Sequence, residues 1–331
     1  MAVVGMAVAL GVFQARGRAA EGAKVTIQEF TLANATGMYD PHDPVFDAEG
    51  NGWYTGFGYN VLGRINPKTG EVKEFPLPTA TTGPHGITVD KRGQVWYTGN
   101  RSALVGRLDP KTGQVVEFKM PDPAVRDPHT PVFDGNGILW FTVQMGNYIG
   151  RLDPATGEVK VTPVATAKAL PHGIGIDSKG APVFAMVGTN KIGTVNPKTM
   201  AITERLLPEG ARPRRVAIAS DDAVWYTDQA RGFLSRLDPK TFQVKEYPTP
   251  GGPKAGPWSI AITRDGIIWY SESDAQPNNL VRFDPKTGAM QSWPLSQKGG
   301  VVRHMAASAD GKALWLAHSG VARMAYVRIG Q

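Results

Sequence analysis

Short apolar runs of about five residues recur along the chain and alternate with turn residues. One copy of this pattern covers residues 84–121, where apolar and polar positions alternate in four segments. Such alternation is typical of β-strands with one buried face. Asp90 and Gly93 mark one tight turn, and residues 109–113 mark another, because Pro presets φ at a turn corner and Gly accepts a positive φ. Each copy is therefore predicted to be a four-stranded antiparallel sheet.

The pattern occurs seven times, at intervals of 42 to 46 residues. The residue that opens the first strand of each copy is, in order, His42, His85, His129, His172, Arg214, Trp258 and His304. The residue that anchors the second strand is Trp53, Trp96, Trp140, Val183, Trp225, Trp269 and Trp315. Seven copies of a four-stranded unit predict an all-β protein, a seven-bladed β-propeller.

The seventh copy ends before its fourth strand, and a matching segment stands near the N-terminus. Residues 25–32 (VTIQEFTL) match residues 72–77 (VKEFPL) of the first copy. We predict that this N-terminal strand completes the last blade, which removes an open sheet edge. Residues 23–331 are then expected to form one domain.

An apolar run at residues 2–13 precedes the repeats. It is shorter than the ~20 residues that a membrane span needs, and it suits the apolar region of a secretory signal. Gly17 and Ala19 before Ala20 provide small residues for cleavage. Residues 1–22 are predicted to be a signal peptide, or alternatively a disordered leader. The signal predicts a periplasmic or secreted protein with no membrane span.

Composition and charge narrow the function classes. The chain has no Cys, so a thiolate metal site and a thiol nucleophile are excluded. The formal net charge is +7, but Lys and Arg recur once per repeat and are spread over all blades. Nucleic-acid binding needs a clustered basic face, so no nucleic-acid partner is expected. The expected partner is a small molecule in the central funnel, bound by a monomer.

Two sets of residues are predicted to meet at one mouth of the propeller. The residues that open the first strands lie at the face where each first strand begins, and the residue three after each anchor ends the second strand at the same face. All six His residues fall in these two sets. The second set is Gly56, Gly99, Val143, Met186, Asp228, Glu272 and His318.

Clustered imidazoles favour a metal or acid–base centre, since imidazole binds Cu, Zn, Fe and Ni and transfers protons near neutral pH. A copper or iron site is predicted at His42, His85, His129 and His172. Asp40 and Asp127 each precede a ring His by two residues, where they could orient the imidazole. The alternative is that Pro-His-Gly-Ile is a structural signature copied with the blade.

The fifth to seventh blades place charge at the same mouth. Arg214 and Arg215 could clamp an anionic substrate group, or pair with Asp228 and Glu272 of adjacent second strands. All of these except Glu272 are assigned to substrate binding, together with Trp258, which either stacks on a ligand ring or plugs the channel.

These residues resemble the virginiamycin B lyase (streptogramin B lyase) family. The repeated Pro-His-Gly-Ile, Asp-x-x-Gly-x-x-Trp-Tyr-Thr, Gly-Arg-Leu and Glu-Phe-Pro-Leu-Pro segments are similar along the chain from Val25 onward. The resemblance implies a seven-bladed propeller that opens a cyclic depsipeptide by magnesium-assisted elimination, with a His in proton transfer. His304 matches that His, and Glu272 and His318 are the other candidate catalytic groups.

The chain departs from the family pattern at several positions. Val302 replaces a Glu before His304, Trp258 replaces a second His, and His318 and Ser319 stand where a metal-binding Glu is found. A C–O lyase with a related site is the first hypothesis. A copper or iron redox protein and a non-catalytic binding propeller are the alternatives.

Overall fold

The computed structural model describes residues 10–13, 23–35, 37–295 and 299–330, with the first of these segments as backbone only. These residues form 29 β-strands and no helix, so the described part of the chain offers no helix that could cross a membrane. Most of the predicted leader, residues 1–22, lies outside the described residues, and its signal-peptide role stays a prediction.

The strands fall into seven sets of four, each defined by its place in the repeat. The first strands are β3 Pro44–Phe46, β7 Pro84–Val89, β11 Pro128–Phe133, β15 Pro171–Ile176, β19 Pro213–Ile218, β23 Pro257–Ile262 and β27 Val301–Ala307. The second strands are β4 Gly52–Gly56, β8 Val95–Gly99, β12 Leu139–Val143, β16 Pro182–Met186, β20 Val224–Asp228, β24 Ile268–Glu272 and β28 Ala313–Ser319. The third strands are β5 Val61–Ile65, β9 Leu104–Leu108, β13 Tyr148–Leu152, β17 Lys191–Val195, β21 Phe233–Leu237, β25 Asn279–Phe283 and β29 Arg323–Ile329. The fourth strands are β6 Val72–Pro76, β10 Val115–Lys119, β14 Val159–Pro163, β18 Ile202–Leu206, β22 Val244–Pro248, β26 Met290–Pro294 and, for the last set, β2 Val25–Thr31.

Each set forms one antiparallel sheet in sequence order, which confirms the predicted seven-bladed β-propeller fold. The last sheet has the order β1-β2-β29-β28-β27, where β1 is Leu10–Phe13. Its strand β2 pairs with β29 from Val25 opposite Ile329 to Thr31 opposite Arg323. The N-terminal strand therefore completes the last blade, as predicted.

The contacts divide the chain into two compact units. The first unit contains residues 1–87 and 259–331, and the second contains residues 88–258. Within each unit, the core lies between neighbouring sheets. In the second unit, Trp140 and Ile149 of one sheet pack with Ile174, Phe184 and Val195 of the next.

The Asp-x-x-Gly-x-x-Trp segment is explained by one carboxylate. In the second blade, Asp90 Oδ1 accepts hydrogen bonds from the backbone N–H groups of Arg92 and Gln94, which closes the turn. Its Oδ2 accepts the indole N–H of Trp96 at 3.0 Å. One Asp thus shapes the turn and satisfies the buried indole, which would otherwise be a costly unpaired donor.

The Gly of the third strand is explained by close packing. A Cβ on Gly63 would lie 1.9 Å from the ring of Tyr54, and a Cβ on Gly106 would lie 2.0 Å from the ring of Tyr97. The aromatic ring of the second strand therefore lies directly on the third-strand backbone, and only Gly leaves room for it.

Candidate functional site

Strand register fixes where the predicted ring residues lie. Val132 pairs with Trp140 and Ala217 pairs with Trp225, so His129 and Arg214 lie three residues before the partner of the anchor. In the last blade Ala306 pairs with Trp315. The structure therefore differs from the prediction there.

Three residues before Ala306 stands Arg303 rather than His304. The reason is that the connection from Ala306 to Trp315 is one residue longer than the corresponding connection in the other blades. His304 follows one position later and is half-buried.

A row of buried hydroxyl groups positions the ring residues. In four blades the second-strand Thr donates to the backbone carbonyl of the ring residue in the next blade, at 2.6–2.7 Å. The fourth blade has Ala185 at this position. There Gly173 packs so closely that an added Cβ would lie 2.7 Å from Cα of Arg215. The hydroxyl pairs are Thr55 with His85, Thr98 with His129, Thr142 with His172 and Thr227 with Trp258.

The first unit brings His42 and His85 together beside a carboxylate. Their ring centroids are 3.7 Å apart, and Nδ1 of His42 lies 2.9 Å from Oδ1 of Asp43. All three side chains are buried. One potential ligand atom from each lies within 4.8 Å of the others. Asp43 was not singled out in the sequence, because a single Asp after the ring position belongs to no repeated motif.

The carboxylates expected to orient these imidazoles have other partners. Oδ1 of Asp40 accepts the backbone N–H of Gly58 at 2.8 Å. Oδ1 of Asp127 accepts from Asn100, and its Oδ2 accepts the N–H of Met145. Both Asp residues thus hold loops, and the prediction that they orient His42 and His129 is wrong. Burial raises the pKa of Asp127 to about 7.

The second unit pairs His129 and His172 in a different setting. Their ring centroids are 4.3 Å apart, and Nδ1 of His129 lies 2.9 Å from the hydroxyl oxygen of Thr130. The guanidinium of Arg215 donates to that same oxygen at 3.0 Å, and the Arg215 residue is only 1 % exposed. This imidazole pair therefore lies beside a buried cation rather than an anion.

Arg214 and Trp258 contact each other at the next ring positions. The guanidinium carbon of Arg214 lies 3.6 Å from the Trp258 ring centroid, a cation–π contact. Arg214 also donates to Oε1 of Gln229 at 3.1 Å. The contact joins two residues that the sequence assigned to one substrate-binding group.

The two acidic residues of that mouth are fully buried. Asp228 accepts hydrogen bonds from Arg231 Nε at 2.7 Å and from the Arg212 backbone N–H at 2.9 Å. Glu272 accepts from Nδ2 of Asn279 at 2.7 Å. Arg231 on the following turn, rather than Arg214 or Arg215, is the partner that the structure gives to Asp228.

His318 is buried in the last blade and bonds to the backbone. Its Nε2 lies 3.2 Å from the carbonyl oxygen of Gly299. Burial lowers the pKa of His318 to about 4, so the ring is neutral at pH 7. A neutral Nε2 that donates to a carbonyl leaves Nδ1 as the acceptor.

An aromatic wall joins the last blade to the first imidazole pair. The guanidinium of Arg303 lies over the Tyr39 ring at 4.7 Å, and Tyr39 packs edge-on against Phe57. Phe57 in turn contacts the rings of His42 and His85, at 5.9 and 6.0 Å between centroids. Tyr39 is 45 % exposed, so this wall reaches solvent.

The donor sets do not fit magnesium. Among the described residues, the group of three potential ligands that lies close enough for one ion is His42, Asp43 and His85. Two imidazoles and one carboxylate suit zinc, iron, nickel or copper. Magnesium prefers an all-oxygen octahedron, which this group does not offer.

Seven four-stranded antiparallel sheets, with imidazoles at the starts of four first strands, define a seven-bladed β-propeller with polar side-chain clusters. A family model described as the virginiamycin B lyase family matches residues 17–252 and 184–329. The chain belongs to this family. No curated protein shows a significant match.

Solved structures support the same fold. Virginiamycin B lyase from Staphylococcus aureus is 25 % identical with a TM-score of 0.82, covering 92 % of this chain and 99 % of that one. A catalytically inactive histidine-to-alanine variant of the same enzyme, with quinupristin, is 24 % identical with a TM-score of 0.83 and coverages of 92 % and 99 %. Hydrazine synthase from Kuenenia stuttgartiensis is 14 % identical with a TM-score of 0.75 and coverages of 90 % and 97 %. The last two show the fold alone.

Proposed function

We propose that the protein is a metal-dependent lyase that opens an ester bond by elimination, and that its metal centre is the group His42, Asp43 and His85. The observation behind the proposal is the burial of these three side chains with their ligand atoms within 4.8 Å. The ion expected there is a transition metal rather than magnesium, because the donors are mainly imidazole. Such an ion would polarise a substrate carbonyl.

The substrate class is suggested by the aromatic wall. Tyr39 and Phe57 offer apolar faces beside the imidazoles, and Arg303 places a cation at the end of the wall. An ester-containing molecule with an aromatic ring matches these surfaces, the ring against the wall and the carboxylate product towards Arg303.

His304 is proposed as the base. In the elimination, His304 takes the proton from the carbon next to the substrate carbonyl, and the electron pair of that C–H bond forms a C=C bond. The C–O ester bond breaks, and its electron pair leaves on the carboxylate. His304 is half-buried, which lets substrate reach it, whereas His318 has too low a pKa to serve as an effective base. Fully buried Glu272 is left as an orienting group.

The test is a product assay on untagged, zinc- or iron-loaded protein with quinupristin, the compound named with the Staphylococcus aureus enzyme. Elimination opens the ring without a change in mass, whereas hydrolysis adds one water. His304→Gln is expected to lower the rate by about 100-fold or more, and His172→Gln is the matched control. A hydrolysed product, no ring opening, or an unchanged rate in His304→Gln would contradict the proposal.

A redox protein is the second candidate, favoured by the same donor set, since two His and one carboxylate are also the ligands of non-haem iron oxygenases. A reversible redox couple that is lost in His85→Ala, without ring-opening activity, would favour this candidate. A chain that binds no metal at all would favour a ligand-binding propeller.

A further inference from the structure

The fourth blade borders a cavity of about 520 Å³, which lies in the second unit. Among the described residues, none of the predicted site residues lines it. The lining includes the second and third strands of this blade and the turns of the fifth blade, with Val183, Thr194, Phe242 and Lys240 among its residues. Its volume falls in the range of small-molecule sites, ~300–1,000 Å³.

The cavity exists because one blade lacks two large side chains. In five other blades a Trp on the second strand pairs directly with an Arg on the third. In the fourth blade the paired residues are Val183 and Thr194, so the space of an indole and a guanidinium is left open. The five pairs are Trp53–Arg64, Trp96–Arg107, Trp140–Arg151, Trp225–Arg236 and Trp269–Arg282.

The missing indole also leaves its hydrogen-bond acceptor in place. In the first three blades, the turn Asp accepts the indole N–H of the anchor Trp on Oδ2, at 3.0–3.1 Å. Asp177 holds the same position and accepts the N–H groups of Lys179 and Ala181 on Oδ1. Because Val183 has no N–H, the second oxygen of Asp177 can accept an N–H from a ligand. Asp177 lines the cavity.

An exposed aromatic residue stands at the rim. Phe242 has φ of 60°, whereas Gly occupies this turn position in four blades, at φ of 75–77°. A bulky residue is costly in this left-handed conformation. Phe242 is 47 % exposed, and the guanidinium of Arg205 lies 4.3 Å from its ring centroid. The pair forms a stacking surface for a planar ligand.

The charge around the cavity favours an anion. Lys179, Lys240 and Arg205 all line it. Two of the lining carboxylates already bind protein groups. Asp221 pairs with Arg236 at 2.8 Å, and Asp222 accepts two hydrogen bonds from Ser178. The cations are therefore in excess for an incoming ligand.

We propose that this cavity binds a small heteroaromatic carboxylate with a ring N–H. The ring fills the space left by the missing Trp, the N–H donates to Asp177, and the carboxylate meets Arg205 and Lys240. This site is separate from the proposed lyase centre and uses none of its residues.

Calorimetric titration of the full chain with indole-3-acetate tests the proposal. Saturable binding of one molecule per chain is expected, at least about tenfold tighter than binding of indole or of acetate. Val183→Trp, which restores the repeat, is expected to abolish it. The absence of saturable binding up to about 5 mM, or unchanged binding in Val183→Trp, would overturn the proposal.

A second pair of variants keeps the test decisive if Val183→Trp fails to fold. Phe242→Gly removes the stacking surface and relieves the left-handed strain, so it should fold and bind at least about tenfold more weakly. Met200→Gly changes the same turn position one blade earlier, outside the cavity lining, and should bind as wild type. Equal binding by Phe242→Gly and wild type would overturn the proposal.

Discussion

The two imidazole pairs are built on the same repeat position but in opposite electrostatic settings. His42 and His85 lie beside the buried carboxylate of Asp43. His129 and His172 lie beside Thr130, whose hydroxyl is bound by the buried guanidinium of Arg215. The residue one after the ring position thus decides whether the copied His attracts a cation or an anion.

The comparison limits how the repeat can be interpreted. Six His residues at equivalent positions suggest one site with equivalent ligands, but the structure gives the two pairs different neighbours. A metal ion gains from Asp43 and is repelled by Arg215. We therefore confine the proposed metal to the first pair and expect the second to favour anionic groups.

The largest expected effect comes from exchanging the deciding residues. Asp43→Thr gives the first pair the neighbour of the second, and we expect metal affinity to fall by more than about 100-fold, with no stoichiometric zinc or iron after dialysis. Thr130→Asp should not create a second site, because Arg215 would pair with the new carboxylate. Elemental analysis checks both variants, and metal retained in Asp43→Thr would refute the assignment.

Removal of Arg215 tests its structural share. Arg215 is buried and bonds to Thr130, so Arg215→Ala should lower the free energy of unfolding by about 4 kcal/mol through the cavity and the lost hydrogen bond. Arg214→Ala, which removes a half-buried cation–π contact, should cost only about 1 kcal/mol. Urea denaturation measures both, and equal costs would show that Arg215 is not a packed core group.

The pH dependence separates a His of the first unit from a carboxyl of the second. The folded pKa of His318 is about 4, below its usual 6.5, so its stability contribution is full above pH 6.5 and is lost as the pH falls to about 4, about 3 kcal/mol in all. The folded pKa of Asp127 is about 7, above its usual 3.8. Its contribution is therefore full below pH 3.8 and is lost as the pH rises through 7.

These two contributions have opposite slopes between pH 4 and 6.5. Relative to wild type, His318→Gln should make stability fall more with rising pH, and Asp127→Asn should make it rise more. Denaturation curves at several pH values give both slopes. Parallel curves for the two variants would contradict the assigned pKa shifts.

The smallest effect concerns the buried hydroxyls that hold the ring residues. Thr55→Val in the first unit and Thr142→Val in the second each remove a hydrogen bond to a His carbonyl. Each should cost about 1–2 kcal/mol of unfolding free energy. Thr112→Val, in an exposed turn, serves as the control and should cost much less. A large difference between the first two would show that the units depend unequally on this contact.

The fold follows from the sequence because its signals are local and repeated. The alternation of apolar residues, the turn Asp and Gly, and the anchor Trp recur often enough to define seven sheets. The match between residues 25–32 and 72–77 even identified the strand that closes the last blade.

The site was less predictable because it depends on single residues that break the repeat. Asp43 and Thr130 occupy equivalent positions, but nothing local indicates that one faces an imidazole. Asp40 and Asp127 stood nearer to a familiar pattern, yet they bind loop backbone. One extra residue in the turn after β27 moved Arg303 to the ring position. Only Val183, a gap in the Trp series, signalled its consequence in advance.

The pairing of β2 with β29 has a consequence for biosynthesis. The ribosome completes β2 almost three hundred residues before its partner β29, so the last blade cannot be finished until translation is nearly over. Until then the edge of β2 that later pairs with β29 is available to other strands, which makes the nascent chain depend on protection from aggregation. A circular permutant that opens between two complete blades would make all four strands of the last blade consecutive, and should refold faster with less aggregate.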